Sequence, residues 1–268
     1  MADEGKVVQK DVPAPNPRLN KYYWLVNTEG FPISSSTWEK MWDYVIVTHP
    51  QGHDVAESIR GKTNKRVPYP NAPVIQPSAS IPSSLSSVQE YLQKLQYNYT
   101  GMQFFDVKRY KPLSRLMDMA KDMIKESLPI KCLEAVILSL YLTSPLTSLQ
   151  RFTIRFKSNH EGRCYRHVVL GVHQGGIYGS LGLSRRLSLM YKPFHYKSLT
   201  DLIKDFIASY SECKHELQYI KLGSPVIHDT RSCEQIQWKF LVISLKDIDS
   251  PASLKRVLDR YCRAIRTL

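Results

Sequence analysis

Three observations predict an α+β fold. Helical periodicity fills the first half of the chain, an almost wholly apolar segment of helix length follows at 130–142, and beyond Pro145 short alternating runs are separated by turn residues. The expected order is an N-terminal helical region followed by a core in which a buried helix packs on an antiparallel sheet. Residues 1–20 mix charge with Pro13, Pro15 and Pro17 and offer little to bury, so a flexible tail is expected there. Residues 21–112 form the helical region and 113–268 the core.

Taken in order, Ser36-Thr37-Trp38-Glu39 reads as a capping box that opens a helix, with Trp38, Met41, Trp42 and Val45 at i, i+3, i+4 and i+7. Two tryptophans on one stripe require a cover. A second short helix runs through Val55, Ala56 and Ile59 to Gly61. Residues 62–84 carry five prolines and several serines, which excludes both a helix and a central strand and gives an ordered or semi-extended connector. Leu85, Val88, Leu92 and Leu95 mark one amphipathic helix, and Leu113, Leu116, Met117 and Ala120 another. Pro129 is expected to open the buried helix. Phe152 to Phe156, Tyr165 to Val172 and Gly176 to Leu183 read as an antiparallel meander. Helical spacing returns from Leu199 to Tyr210, and strands are expected at Leu217–Val226 and Trp238–Leu245. A last helix starts at Ser250-Pro251.

Composition narrows the function. With 43% hydrophobic residues among 268, the chain can bury a substantial core, which excludes a rod or a wholly disordered chain. The longest uncharged stretch, Ala135 to Gln150, is interrupted by Thr143, Ser144 and Pro145, so no membrane span is expected. The start of the chain lacks a signal-peptide pattern, and the expected compartment is the cytoplasm. Five cysteines without a C-x-x-C pair argue against a disulfide framework or a zinc ribbon, and the histidines lack metal-ligand spacing. No metal or cofactor is expected.

The formal charge of +13 is unevenly spread: residues 127–200 hold ten basic and two acidic residues, a net +8. Such an excess focuses a positive field and suits a polyanionic target. In the same segment Cys132 sits at the start of the apolar helix beside Lys131, where a helix N-terminus and a neighbouring cation lower a thiol's pKa. His167 follows on the second strand. A cysteine opening a core helix and a histidine on the adjoining sheet is the chain order of papain-like and transglutaminase-like acyl-transfer enzymes. The next strand holds no carboxylate, so a serine hydroxyl or a backbone carbonyl must orient the imidazole. Two other readings of these residues are a non-catalytic microtubule- or polyanion-binding protein and a crosslinking transglutaminase. Lys108, Arg109, Lys111 and Arg115 lack the spaced aromatics of a nucleic-acid platform. Asn98-Tyr99-Thr100 fits a glycosylation triplet but is expected to be unused, and Cys164 reads as a spare thiol.

The motifs LPIKCLEAVIL, YRHVVLG, YGSLGLSRR followed by LMYKP, and LQYNYTG followed by QFFDVK closely resemble the vasohibin family from about Trp24 to the end of the chain. The resemblance implies a transglutaminase-like cysteine peptidase core. The implied activity is that of a tubulin carboxypeptidase, which removes the C-terminal tyrosine of α-tubulin without a cofactor. It further implies Cys132 as nucleophile, His167 as general base and then acid, and Ser184 as the third member, through its hydroxyl or its carbonyl. Tyr97, Lys131 and Arg185 would hold the terminal residue and its carboxylate, Arg166 would meet the acidic tail, and Lys108, Arg109 and Lys157 would face the microtubule. The implied partners are the small vasohibin-binding protein, a short helical chain, and the α-tubulin tail on microtubules, with neither nucleic acid nor membrane. A cytoplasmic, cytoskeleton-associated location follows, with unconventional secretion left open.

Overall fold

The computed structural model describes residues 34–62 and 69–266, which form two compact units. The tail expected at 1–20 lies outside the described residues. In the first unit, α1 (Ser35–Thr48) and α2 (Gly52–Gly61) pack against each other. The cap of α1 is Ser34, whose Oγ accepts from the Thr37 N–H at 3.2 Å, rather than the expected Ser36. The helix starts two residues earlier than the box implies, and Ser36 is already inside its first turn. Gly52 permits the tight turn between the helices, because a Cβ there would fall 2.4 Å from the Ile46 carbonyl oxygen. No residue of α1 is buried, and Trp38 is 45% exposed.

The second unit has α3 (Ile81–Leu95), α4 (Leu113–Glu126), α5 (Cys132–Leu142), α6 (Leu199–Glu212) and α7 (Pro251–Ala264) around a six-stranded sheet. The strands are β1 (Gln150–His160), β2 (Arg163–Gln174), β3 (Ile177–Leu181), β4 (Lys192–Tyr196), β5 (Glu216–Pro225) and β6 (Leu241–Ser244). Their order is β4-β3-β2-β1-β5-β6, antiparallel throughout. The fold is therefore α+β, as expected, with a meander of four strands and a helical crossover through α6 to the far side of β1.

Strand alternation divides the core in two. Val168, Leu170 and Val172 of β2 pack with α3, α4 and α5, whereas Phe152, Ile154, Phe156 and Val169 pack with α6 and α7. Helix α5 is buried almost all round, from Glu134 to Leu140 without interruption. Its C-terminal end is tied down by Arg151, 1% exposed, which donates to the carbonyl oxygens of Leu140 at 2.8 Å, Val226 at 3.2 Å and Ile227 at 2.7 Å.

Several expectations need correction. Helix α5 begins at Cys132, three residues after Pro129, because the Ile130 backbone is spent elsewhere: its carbonyl accepts from Asn98 N–H at 2.9 Å and its N–H donates to Gln96 at 3.1 Å. Pro82 lies within the first turn of α3, where its missing N–H costs nothing. The meander has a fourth strand, β4, that alternation does not reveal. The third strand is shorter than expected at both ends: Gly176, at φ 82°, belongs to the turn before it, and after Leu181 the Gly182 backbone bonds to Gln89 instead, its N–H donating to Oε1 at 3.1 Å and its carbonyl accepting from Nε2 at 3.0 Å. Trp238 is not in a strand; it is buried beside β6, and its Nε1 donates to the Arg109 carbonyl at 3.0 Å. Among the described residues, no helix is long and apolar enough to cross a membrane.

Candidate active site

The site forms where β3 stops. Its last pairing is Leu181 with Leu170, so β2 from Arg163 to Val169 has an open edge on that side. The start of α5 and the segment 184–189 occupy that edge. The bridge between Tyr97 and Ile130 fixes the start of α5 and brings Tyr97 beside it. Lys131 is the N-cap, and the buried Glu134 carboxylate accepts from its backbone N–H, closing the first turn.

A cavity of about 250 Å³ is lined by Cys132, His167, Leu189, Ser184, Arg185, Arg166 and Tyr97, with Ser158, His160, Tyr165, Tyr210 and His215 on its remaining wall. Six of the seven catalytic and substrate-binding candidates thus share one space. The seventh, Lys131, is not among its walls and directs Nζ to the Gly101 carbonyl at 3.3 Å. Arg185 lies with its guanidinium 5.8 Å from the centre of the Tyr97 ring, and the nearby Tyr97 side chain raises its pKa.

His167 Nε2 lies 2.6 Å from the Leu189 carbonyl oxygen, and the imidazole stacks on Phe156 at 6.3 Å between centres. A carbonyl only accepts, so Nε2 carries the proton and Nδ1 is the ring's basic atom. Ser184 Oγ instead accepts from the Arg186 N–H at 3.2 Å. Burial drives the His167 pKa down to about 4, with the Leu189 bond opposing it. Cys132 departs from the expected direction. Burial raises its pKa, and backbone hydrogen bonds from Val168 and the first turn of α5 only partly offset that, while Glu134 adds to the rise. The helix-terminus effect is present, but desolvation is the larger influence. The resting pair is therefore a neutral thiol and a neutral imidazole.

Cations crowd the adjoining surface. A second cavity of about 500 Å³ shares His167 and Arg166 with the first and is lined by Arg155, Lys157, Lys221 and Lys239. Burial lowers the Lys221 pKa, and the neighbouring Arg155, Lys239, Lys157 and Arg166 lower it further. Arg109 lines a smaller cavity with Cys132, Arg155 and Trp238, and Lys108 lies on the same side, paired with Asp106 at 3.2 Å. Lys221 and Lys239 escaped the sequence reading because they lie outside the 127–200 window; the pairing of β5 with β1 puts Lys221 opposite Arg155. Conversely, Arg151 and Lys192, counted toward the surface field, are buried, at 1% and 7% exposure. Leu189 could not be identified beforehand, since an apolar side chain carries no signal for the use of its carbonyl. Among the described residues, no group of three or more His, Cys, Asp or Glu is placed to hold a metal. Asn98 uses its side chain internally, Nδ2 donating to the Met102 carbonyl at 2.9 Å.

Such an arrangement can pass a thiol proton to Nδ1, attack an acyl carbon with sulfur, and offer N–H groups of the first turn of α5 to the oxyanion. The family model described as Vasohibin matches residues 22–266. A mouse (Mus musculus) protein named Tubulinyl-Tyr carboxypeptidase 1 is 47% identical over 244 residues, covering 91% of this chain and 65% of its own length. The chain thus spans about two thirds of that curated relative. A family match over more than nine tenths of the chain, with 47% identity to a curated relative, places the protein in the vasohibin family.

Proposed function

We propose that this chain is a cysteine-type carboxypeptidase that removes the C-terminal tyrosine from the acidic tail of α-tubulin. The observation that carries the proposal is the shared cavity of Cys132 and His167, opening directly onto the crowd of cations around Arg166. Substrate binding excludes water, and the Cys132 proton passes to His167 Nδ1 as sulfur attacks the carbonyl carbon of the last peptide bond. The imidazolium then protonates the leaving amine, free tyrosine departs, and water, activated by the same Nδ1, hydrolyses the thioester. Arg185 pairs with the free α-carboxylate, with Tyr97 beside it and Lys131 near the helix start. Arg166, Lys157, Arg109 and Lys108 attract the glutamate-rich tail and the microtubule surface. Ser184 shapes the cavity wall beside Arg185.

The printed name of the mouse relative supports this substrate. The small vasohibin-binding protein is the proposed partner, supported by an α1 whose Trp38, Tyr44 and Val47 remain exposed. A cytoplasmic, cytoskeleton-associated location follows from the substrate. A purely microtubule-binding role would need the cations but not the Cys132–His167 cavity. Incubation of purified tubulin with the chain and its partner, followed by mass spectrometry of the α-tubulin C-terminal peptide, should show loss of one tyrosine. An unchanged terminus would refute the proposal.

A further inference from the structure

The acceptor that orients His167 is a main-chain carbonyl, which no side-chain substitution removes. Its placement depends on whatever holds the Leu189 peptide. Leu189 ends a single 3₁₀ turn, Leu187–Leu189, held by the Leu189 N–H to Arg186 at 3.0 Å and the Met190 N–H to Leu187 at 3.3 Å. One such turn has little stability of its own. Three residues on, Lys192 opens β4. Its backbone N–H donates to Ser180 Oγ on β3 at 3.1 Å, and its side chain runs inward. There Nζ pairs with Asp205 and donates to Ser209 Oγ at 2.9 Å, both on α6, with the Phe206 ring 5.2 Å away. Tyr196, at the far end of β4, donates to the second Asp205 oxygen at 2.6 Å.

The same helix also supports the imidazole. Phe206 packs on Phe156 at 4.9 Å between ring centres, and Phe156 stacks on His167. Helix α6 therefore sets both the floor beneath the ring and, through Lys192, the segment that carries its acceptor. Desolvating the buried Lys192 ammonium offsets most of what its pair with the part-exposed Asp205 contributes, so the pair is poorly explained as a source of stability and better explained as a fixer of register.

We propose that Lys192 and Asp205 are positioning residues that hold the Leu189 carbonyl against His167 and so set the reactivity of Cys132. The proposal rests on the cysteine chemistry proposed above but not on tubulin as substrate. Full-length Lys192→Met, Asp205→Asn and the double variant Lys192→Met/Asp205→Leu, which leaves no unpaired buried charge, are compared with wild type and His167→Ala. The rate of Cys132 alkylation by iodoacetamide is followed by peptide mass spectrometry, with the exposed Cys164 and Cys233 in the same sample as references. Steady-state kinetics on a tail peptide ending in tyrosine accompany it. The expected result is that Cys132 alkylation and kcat both fall by about tenfold toward the His167→Ala values, as for a misplaced catalytic group. KM should change little and the reference thiols not at all. Wild-type Cys132 alkylation in the folded double variant would overturn the proposal and leave the pair a packing feature. If wild type releases no tyrosine while the alkylation rates still fall as expected, the substrate reading fails and the positioning role stands.

Discussion

His167 donates from Nε2 to the carbonyl oxygen of Leu189 at 2.6 Å, and this bond fixes which nitrogen can act as base. The imidazole is oriented without a carboxylate. An imidazolium beside a neutral carbonyl is less stabilised than one beside Asp, so His167 remains neutral at rest, and in the proposed mechanism it takes a proton only when the thiol gives one up.

Ser184→Ala should therefore cost far less than loss of the cysteine or histidine. Its Oγ bonds the Arg186 N–H rather than the imidazole. A fall in kcat/KM of about tenfold or less is expected, corresponding to about 1 kcal/mol for one hydrogen bond at a partly exposed site. A loss as deep as that of His167→Ala would place the serine in the proton path.

The pH dependence has a definite sign. His167 is depressed in the folded chain to about 4 from an ordinary 6.5, so the unfolded chain binds the extra proton first. Its contribution to stability is fully present above about 6.5 and is lost as pH falls toward 4. Likewise, kcat/KM should hold down to about pH 5 and fall on an acid limb near 4, because Nδ1 must be unprotonated to accept the thiol proton. An acid limb near 6.5 would show an imidazole in ordinary solvation.

Arg185→Glu should impair cleavage of a free-acid peptide far more than it lowers the melting temperature, since the guanidinium lies at the cavity wall with exposed neighbours. Amidation of the peptide C-terminus should produce a comparable loss in the wild type. Equal cleavage of the amide and the acid would remove the carboxylate clamp from the account of specificity.

Arg151→Met should destabilise the second unit by about 3 kcal/mol or more. It strands two buried carbonyls, of Leu140 near the C-terminal end of α5 and of Val226, and a part-buried third, of Ile227, all of which the guanidinium now satisfies. Burial already lowers the Arg151 pKa to about 10, so the cost of desolvating the charge is recovered only through those bonds. Thermal unfolding measures the effect; a melting temperature within 1–2 °C of wild type, about what 0.5 kcal/mol produces, would contradict it.

The helices, and the elements that carry Cys132 and His167, were legible because each rests on local pattern. The α4 stripe from Leu113, the apolar α5 and the alternation of β1 need only a few adjacent residues to declare themselves. What stayed hidden depends on long-range pairing. Pro129 failed to start α5 because the Ile130 backbone bonds to residues 96 and 98, more than thirty positions away. Lys192 looked like one more surface cation until α6 supplied Asp205. Lys221 reached the basic groove only through the β5–β1 register, and the Leu189 carbonyl has no side-chain signature at all. The raised thiol pKa of Cys132 was missed for a related reason, because desolvation is set by the whole surrounding fold.

The central chemistry is tested most directly by mass spectrometry of an acidic tail peptide ending in a free-acid tyrosine, incubated with wild type, Cys132→Ala or His167→Ala. Wild type should yield free tyrosine and a peptide shortened by that one residue, while each variant, folded as shown by an unchanged circular dichroism spectrum, should yield neither. Tyrosine release by Cys132→Ala at a substantial fraction of the wild-type rate would contradict a cysteine-based carboxypeptidase.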